Sequence, residues 1–416
     1  MMPGDTLIQR LNIRQLFRTN ATKLGCVSVL LTAMTPVCAD QFDTLNFIGS
    51  VTVNYDDNIY RLPSGSDPQS LIGKSTKSDL IKIATLGINL DKKYSNQEVT
   101  FNATESLNKY TNFTNLDYTS SSLSGAWIWQ FTPRFRGTLN ATRAQTLNNP
   151  ADTKVFTRNL STTDLISLNG NWWLHSNWHM VFSTSNGKTT NSVNTINNLS
   201  SHSETNELGV KYDPSNGKLI SLVSRYLRSY NSPANLTDAG YTEKQLDLQL
   251  SWELSGKSKL NGDLIYADHQ YFNYSERNYN GLEGGLNYSL DISDKTSVNM
   301  SYQRSLNSWW DNYNSYFVTD TFSISPTWQL SAKRKLHMSI THGTNDYHEP
   351  VFSGGNSRHD VTQSIQMGLD WTPQRAVTFS ASVQRNQRNS GPTAPVDYSG
   401  YSFIENSVIL SAQANF

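Results

Sequence analysis

The 416-residue chain has very little cysteine, no net charge and no long hydrophobic run beyond its first forty positions. The two cysteines, Cys26 and Cys38, both lie near the start, so disulfides are not what holds the remainder together. Lys+Arg and Asp+Glu each number 34 and no basic block occurs, which excludes the electrostatic footprint of a nucleic-acid binder. Only Leu24–Met34 is apolar enough to attract a translocon, so a helical membrane protein is excluded. Helical 3.6-residue periodicity is sustained nowhere after it. Disorder is excluded as well, because 16 Phe, 20 Tyr and 10 Trp are too many aromatics for a chain that never packs.

What is present begins with an export pattern. Arg10, Arg14, Arg18 and Lys23 precede the apolar run, and Val37-Cys38-Ala39 supplies a small-residue cleavage site. A signal peptide over residues 1–39 and a mature domain over 40–416 are expected.

The mature region alternates with period two. Val298, Met300 and Tyr302 alternate with Asn299, Ser301 and Gln303, while Leu246, Leu248, Leu250, Trp252 and Leu254 alternate with Asp247, Gln249, Ser251 and Glu253. Period two gives a strand one apolar and one polar face. Eight short connections take turns with nine longer ones rich in Tyr, Asn, Asp, Gly and Pro, which implies about 18 strands. The spacing suits ~10-residue tilted spans. Aromatics on the apolar face precede the short turns, among them Trp129, Trp172, Trp252, Trp328 and Trp371. They recur about every 40 residues, two long strands per period instead of the four short ones of a propeller blade. A soluble sandwich would need two apolar faces meeting in a core, whereas aromatics gathered at one end of long strands fit a periplasmic girdle. The last strand alternates Val408, Leu410, Ala412, Ala414 and Phe416 against polar residues, the form in which outer-membrane barrels are presented for assembly. The predicted fold is all-β: a transmembrane antiparallel up-and-down β-barrel in a bacterial outer membrane, with short turns in the periplasm and long loops outside.

Eighteen strands leave an aqueous lumen. The alternation assigns Gln249, Glu253, Glu283, Asn299, Gln303, Ser323, Gln366, Asp370, Thr378 and Gln384 to its lining. Most are uncharged hydrogen-bonding groups and no Arg or Lys ladder is present, which suits neutral or weakly charged polyhydroxylated solutes. On the other face, apolar registers close with Arg143, Arg304 and Arg385, and more faintly with Arg225. These arginines are expected at the outer rim of the apolar band, facing membrane lipid and lipopolysaccharide phosphate or simply snorkelling to the interface.

After the first strand comes Tyr55-Asp56-Asp57-Asn58-Ile59-Tyr60-Arg61-Leu62-Pro63. This run resembles a motif of the EpsL-type outer-membrane proteins of exosortase/PEP-CTERM-associated exopolysaccharide operons. The residue-level similarity is confined mostly to positions 51–63; the leader, the Asn/Ser/Thr-rich barrel and the terminal Phe416 look similar across the mature chain. The resemblance implies a channel for exopolysaccharide export, fed by periplasmic polysaccharide-export components. It carries over no catalytic residue and no cofactor. From the residues alone, Asp56 and Asp57 could bind Ca²⁺, pair with Arg61, or form a solvated turn; further ligand spacing is lacking, so no metal site is assigned.

Aromatics crowd the loops and loop-proximal strand ends, including Tyr110, Phe113, Tyr241, Tyr271, Trp309, Trp310, Tyr313, Tyr347, Tyr398 and Tyr401. Such rings can stack on sugars or form an outer girdle. A general small-solute porin would use the same architecture. An outer-membrane enzyme would need a Ser–His–acid or paired-carboxylate arrangement, for which only the neighbourhood of His342 and Asp346 invites attention, and no G-x-S-x-G motif occurs.

Overall fold

The computed structural model describes residues 44–195, 198–214, 216–232, 239–309, 316–348, 358–391 and 397–416. The expected signal peptide, and the loop residues Trp310 and Tyr313, lie outside the described residues.

Eighteen strands follow one another along the chain: β1 Leu45–Asp56, β2 Asp79–Tyr94, β3 Gln97–Tyr110, β4 Tyr118–Thr132, β5 Phe135–Leu147, β6 Leu160–His175, β7 Trp178–Asn191, β8 Ser200–Tyr212 and β9 Lys218–Ser232. The second half comprises β10 Gly240–Ser255, β11 Ser258–Tyr271, β12 Tyr279–Ser293, β13 Thr296–Ser308, β14 Tyr316–Ser331, β15 Arg334–His348, β16 His359–Gln374, β17 Val377–Ser390 and β18 Phe403–Asn415. Each pairs antiparallel with its neighbours in sequence, and β1 pairs with β18, so the sheet closes. Closure removes the unpaired edge that hydrocarbon could not satisfy.

The seam between β1 and β18 runs from Ile48 opposite Asn415 to Asp56 opposite Ser407. Beyond it, Phe47 N donates to Phe416 O at 2.5 Å and Phe416 N donates to Phe47 O at 2.9 Å. The terminal residue thus completes the closing ladder. Its ring lies over Gly49, where an added Cβ would sit 3.6 Å from Phe416 Cζ.

Register decides which side chains share a face, because residues directly opposed point the same way. Leu45, Phe47, Val51 and Val53 of β1 oppose Leu90, Ile88, Ala84 and Lys82 of β2, and large exposed apolar side chains continue in this register around the ring. That set is the lipid face. Strands of 12–16 residues, at ~3.3 Å per residue and a tilt near ~40°, exceed an apolar band of ~25 Å, so their outer ends stand clear of it.

The five tryptophans expected in the girdle lie on the lipid face near the short turns. Trp129 differs from the rest: it is 4% exposed, stacked on Phe131 (4.6 Å between centroids) and edge-on to Phe135 (4.9 Å). Its ring covers Gly137, and the ring of Phe182 covers Gly170, the register partner of Gly137. A Cβ at either glycine would collide with these rings. The pair of glycines is what lets two aromatics lie flat against the wall.

Candidate transport path

Gln249, Glu253, Glu283, Asn299, Gln303, Ser323, Gln366, Asp370, Thr378 and Gln384 all fall in the inward register. They hydrogen-bond to neighbours on the same face: Ser289 Oγ donates to Asn299 at 3.1 Å, Ser301 meets Ser323 at 2.6 Å, and Ser380 Oγ donates to Asp370 at 2.7 Å. The inner face is not uniformly polar, however. Ile81 and Ile83 of β2 and Tyr110 of β3 also point inward, and a loop covers them.

That loop, residues 57–78, joins β1 to β2 and begins with the motif singled out in the sequence. Ile59, Tyr60 and Leu62 pack with Ile81, Tyr110, Phe113 and Leu116 into a buried apolar cluster, Tyr60 edge-on to Phe113 at 5.3 Å between centroids. The first outer loop therefore folds against the inner wall at the outer mouth. The motif's polar residues hold this fold. Asn58 accepts from Leu62 N (2.8 Å) and donates to Leu62 O (2.8 Å) and Ile404 O (2.9 Å). Asp56 accepts from Asn58 N and from Arg61, each at 2.8 Å. Arg61, in the left-handed region at φ 53°, also returns a bond to Asn58 O. Of the alternatives open for the two aspartates, Asp56 takes the Arg61 pairing. Asp57 instead accepts from Asn406 N and Nδ2, both at 2.7 Å, pinning the loop to β18. No group of three or more His, Cys, Asp or Glu with metal-holding geometry occurs among the described residues.

A second loop, residues 148–159, reaches the same region from β5–β6. Its one-turn helix α1 (Pro150–Thr153) is capped by Asn149. Arg388 on the inner face of β17 donates to Asp152 (2.5 Å), to Ala151 O (2.5 Å) and to Tyr401 O (2.8 Å). Lys154 donates to Arg61 O at 3.4 Å and lies 5.3 Å over the Tyr401 ring. Burial, then the nearby Arg388 guanidinium, lowers the Lys154 pKa to about 8, with Asp152 acting in the opposite sense. Beside it Arg358, 1% exposed, forms two hydrogen bonds with Asp360 at 2.8 and 2.5 Å. Its guanidinium is boxed by Trp309, Tyr347, Tyr398 and Tyr401, at 3.9–5.7 Å from their centroids. Several rings expected to offer faces to sugars are thus committed to Arg358 or to the apolar cluster.

The inner charges are unevenly distributed. Glu207 of β8, Glu243 and Asp247 of β10, Asp263 of β11 and Glu283 of β12 all face inward, whereas the inner faces of β4–β7, β13 and β14 carry no carboxylate. Glu253, Glu283 and, by its alternation, Asp247 were expected on the polar face; Glu207, Glu243 and Asp263 were not singled out. Glu243 and Asp247 share the parity of Gln249, so the signal was there. Arg225 also differs from expectation. It points inward, because β9 places Val223 and Arg225 on the inner face, and it bonds Glu207 at 2.5 Å and Gln245 at 2.6 Å. Toward the periplasm, Arg136, Asn169, Asn171, Glu207, Lys211 and Gln249 contribute to the lining of a cavity of about 610 Å³.

Arg143, Arg304 and Arg385 do face outward, each bonded to its register partner: Asp164 at 3.1 Å, Asp320 at 3.1 Å and Asn406 at 3.0 Å. On the same outer face, Asp346 engages His359 at 2.5 Å, not His342.

No family model and no curated protein matches the chain. Solved structures do. OpdK of Pseudomonas aeruginosa with vanillate is similar at TM-score 0.51 and 7% identity, over 89% of this chain and 99% of that one. OccAB3 of Acinetobacter baumannii is similar at TM-score 0.51 and 8% identity, over the same shares. The likeness is one of fold, a porin-like closed barrel. With an apolar outer belt around a closed 18-stranded sheet, this is a protein of the bacterial outer membrane.

Proposed function

We propose that the chain is a passive channel for polyhydroxylated, saccharide-like solutes, working without a catalytic step or cofactor. The observation that carries this reading is the inner wall of Ser, Thr, Asn and Gln on β3–β7 and β13–β17, whose paired hydroxyls and amides can exchange their mutual hydrogen bonds for those of a passing sugar. Export of an exopolysaccharide, handed over by periplasmic components, is the form of this reading that the resemblance at positions 55–63 implies. A small-solute porin is the second reading, favoured by the loops 57–78 and 148–159, which cover part of the mouth. Planar-bilayer conductance of the refolded protein, titrated with neutral and acidic oligosaccharides of increasing length, tests both. Block by long neutral oligosaccharides supports the export channel. Conductance without saturation by them supports the porin, and absence of any conductance removes the channel reading.

A further inference from the structure

We propose that the carboxylates on the inner faces of β8–β12 make the passage cation-selective and give amine-bearing solutes a station within it. The inference deepens the channel reading above and rests on it.

Glu207 and Glu243 are already engaged. A chain of hydrogen bonds runs from Glu207 to Arg225 (2.5 Å), from Arg225 to Gln245 (2.6 Å), from Gln245 to Glu243 (2.6 Å) and from Glu243 to His269 Nδ1 (2.8 Å). Asp247, Asp263 and Glu283 have no ion-pair partner among the described residues. They form a triangle on the lattice of the wall. Asp247 and Glu283 both oppose Ile265, and Asp263 is the next inward residue on that strand. Three adjacent carboxylates that share only the Arg225 guanidinium, itself bonded to Glu207, are costly unless a mobile cation visits.

Two buried atoms of the same strip point to a ligand independently. Asp247 is 2% exposed and its Oδ1 has no hydrogen-bond partner among the described residues; the other oxygen accepts from Gln249 at 2.6 Å. His269 is 1% exposed, clamped between Tyr241 and Tyr279 at 4.1 and 4.5 Å between centroids, and its Nε2 likewise lacks a partner. An ammonium group supplies donors to an orphaned carboxylate oxygen and to an imidazole nitrogen whose partner Nδ1 is engaged by Glu243. Across the ring, at the mouth, Arg61, Arg358 and Arg388 each have an acid. The mouth arginines are therefore not available to offset the negative strip.

One unit charge ~6 Å from a passing ion in water-like surroundings biases its concentration about three-fold. The test is the reversal potential in a KCl gradient across a planar bilayer, for the full chain and for D247N/D263N/E283Q, with heat-modifiable gel migration confirming that the variant is folded. The expected result is K⁺ preference in the parent, a several-fold fall toward unity in the variant, and block by spermidine in the parent only. A conducting parent with no preference or with Cl⁻ preference overturns the inference and leaves the channel reading standing, as does a folded variant with unchanged selectivity. A parent that does not conduct overturns the channel reading itself. Should the triple variant fail to fold, D247N alone is measured under the same criteria.

Discussion

Removing Arg388 tests whether the outer mouth is held by a latch. The side chain is 7% exposed and ties the 148–159 loop to β17 and to Tyr401 through three bonds. The Asp152 partner is 51% exposed, so that ion pair is screened and contributes little. The bond to the Ala151 carbonyl is the one that joins the loop to the wall, a charged donor to a neutral acceptor worth ~1.5 kcal/mol net, while the bond to Tyr401 O holds the guanidinium in place. Losing the Ala151 bond in Arg388→Ala favours the undocked loop by about one power of ten. Single-channel recording in a planar bilayer then shows a larger or more frequent high-conductance state, while Asp152→Asn stays close to the parent. Unchanged conductance in a folded Arg388→Ala protein would refute the latch.

Three further outcomes are expected. Gly170→Val drives its side chain into the ring of Phe182 and costs ~1–3 kcal/mol by overpacking; urea unfolding from lipid vesicles measures it, with Ser183→Val on the inner face as the tolerated control. Lys154 has a folded pKa of about 8, below its unfolded value, so the undocked loop binds the proton more tightly and docking strengthens as pH rises from about 8 to about 10.5; open-state occupancy should fall over that window, and Lys154→Gln should abolish the difference. If lipopolysaccharide phosphates meet Arg143, Arg304 and Arg385, reversing all three to Glu lowers stability more in lipopolysaccharide-containing vesicles than in phosphatidylcholine; equal losses would assign these residues only to the pairs with Asp164, Asp320 and Asn406.

The strand count, the antiparallel order and the face of most wall residues were legible in the sequence, because period two leaves only one register that puts Leu246, Leu248 and Trp252 in lipid and Gln249 in water. The terminal Phe416 was legible too, as the end of an alternating strand. Arg225 was misread because a basic residue after Val223 looks like a rim arginine until the pairing with β8 and β10 fixes its parity. Of the mouth, only the local pairing of Asp56 with Arg61 was among the expectations. Asn58 reaches Ile404 across 346 positions, and Arg388 reaches Ala151 across 237; no local period encodes contacts of that separation. The acidic strip is a different case: parity puts Asp247, Asp263 and Glu283 on the inner face, but their mutual position depends on the register between strands. The register between β10, β11 and β12 sets Asp247, Asp263 and Glu283 around Ile265, while Arg225 is spent on Glu207. Alternation against the bilayer is a local property that each strand carries alone, whereas a folded mouth and a charged wall arise from which strands become neighbours.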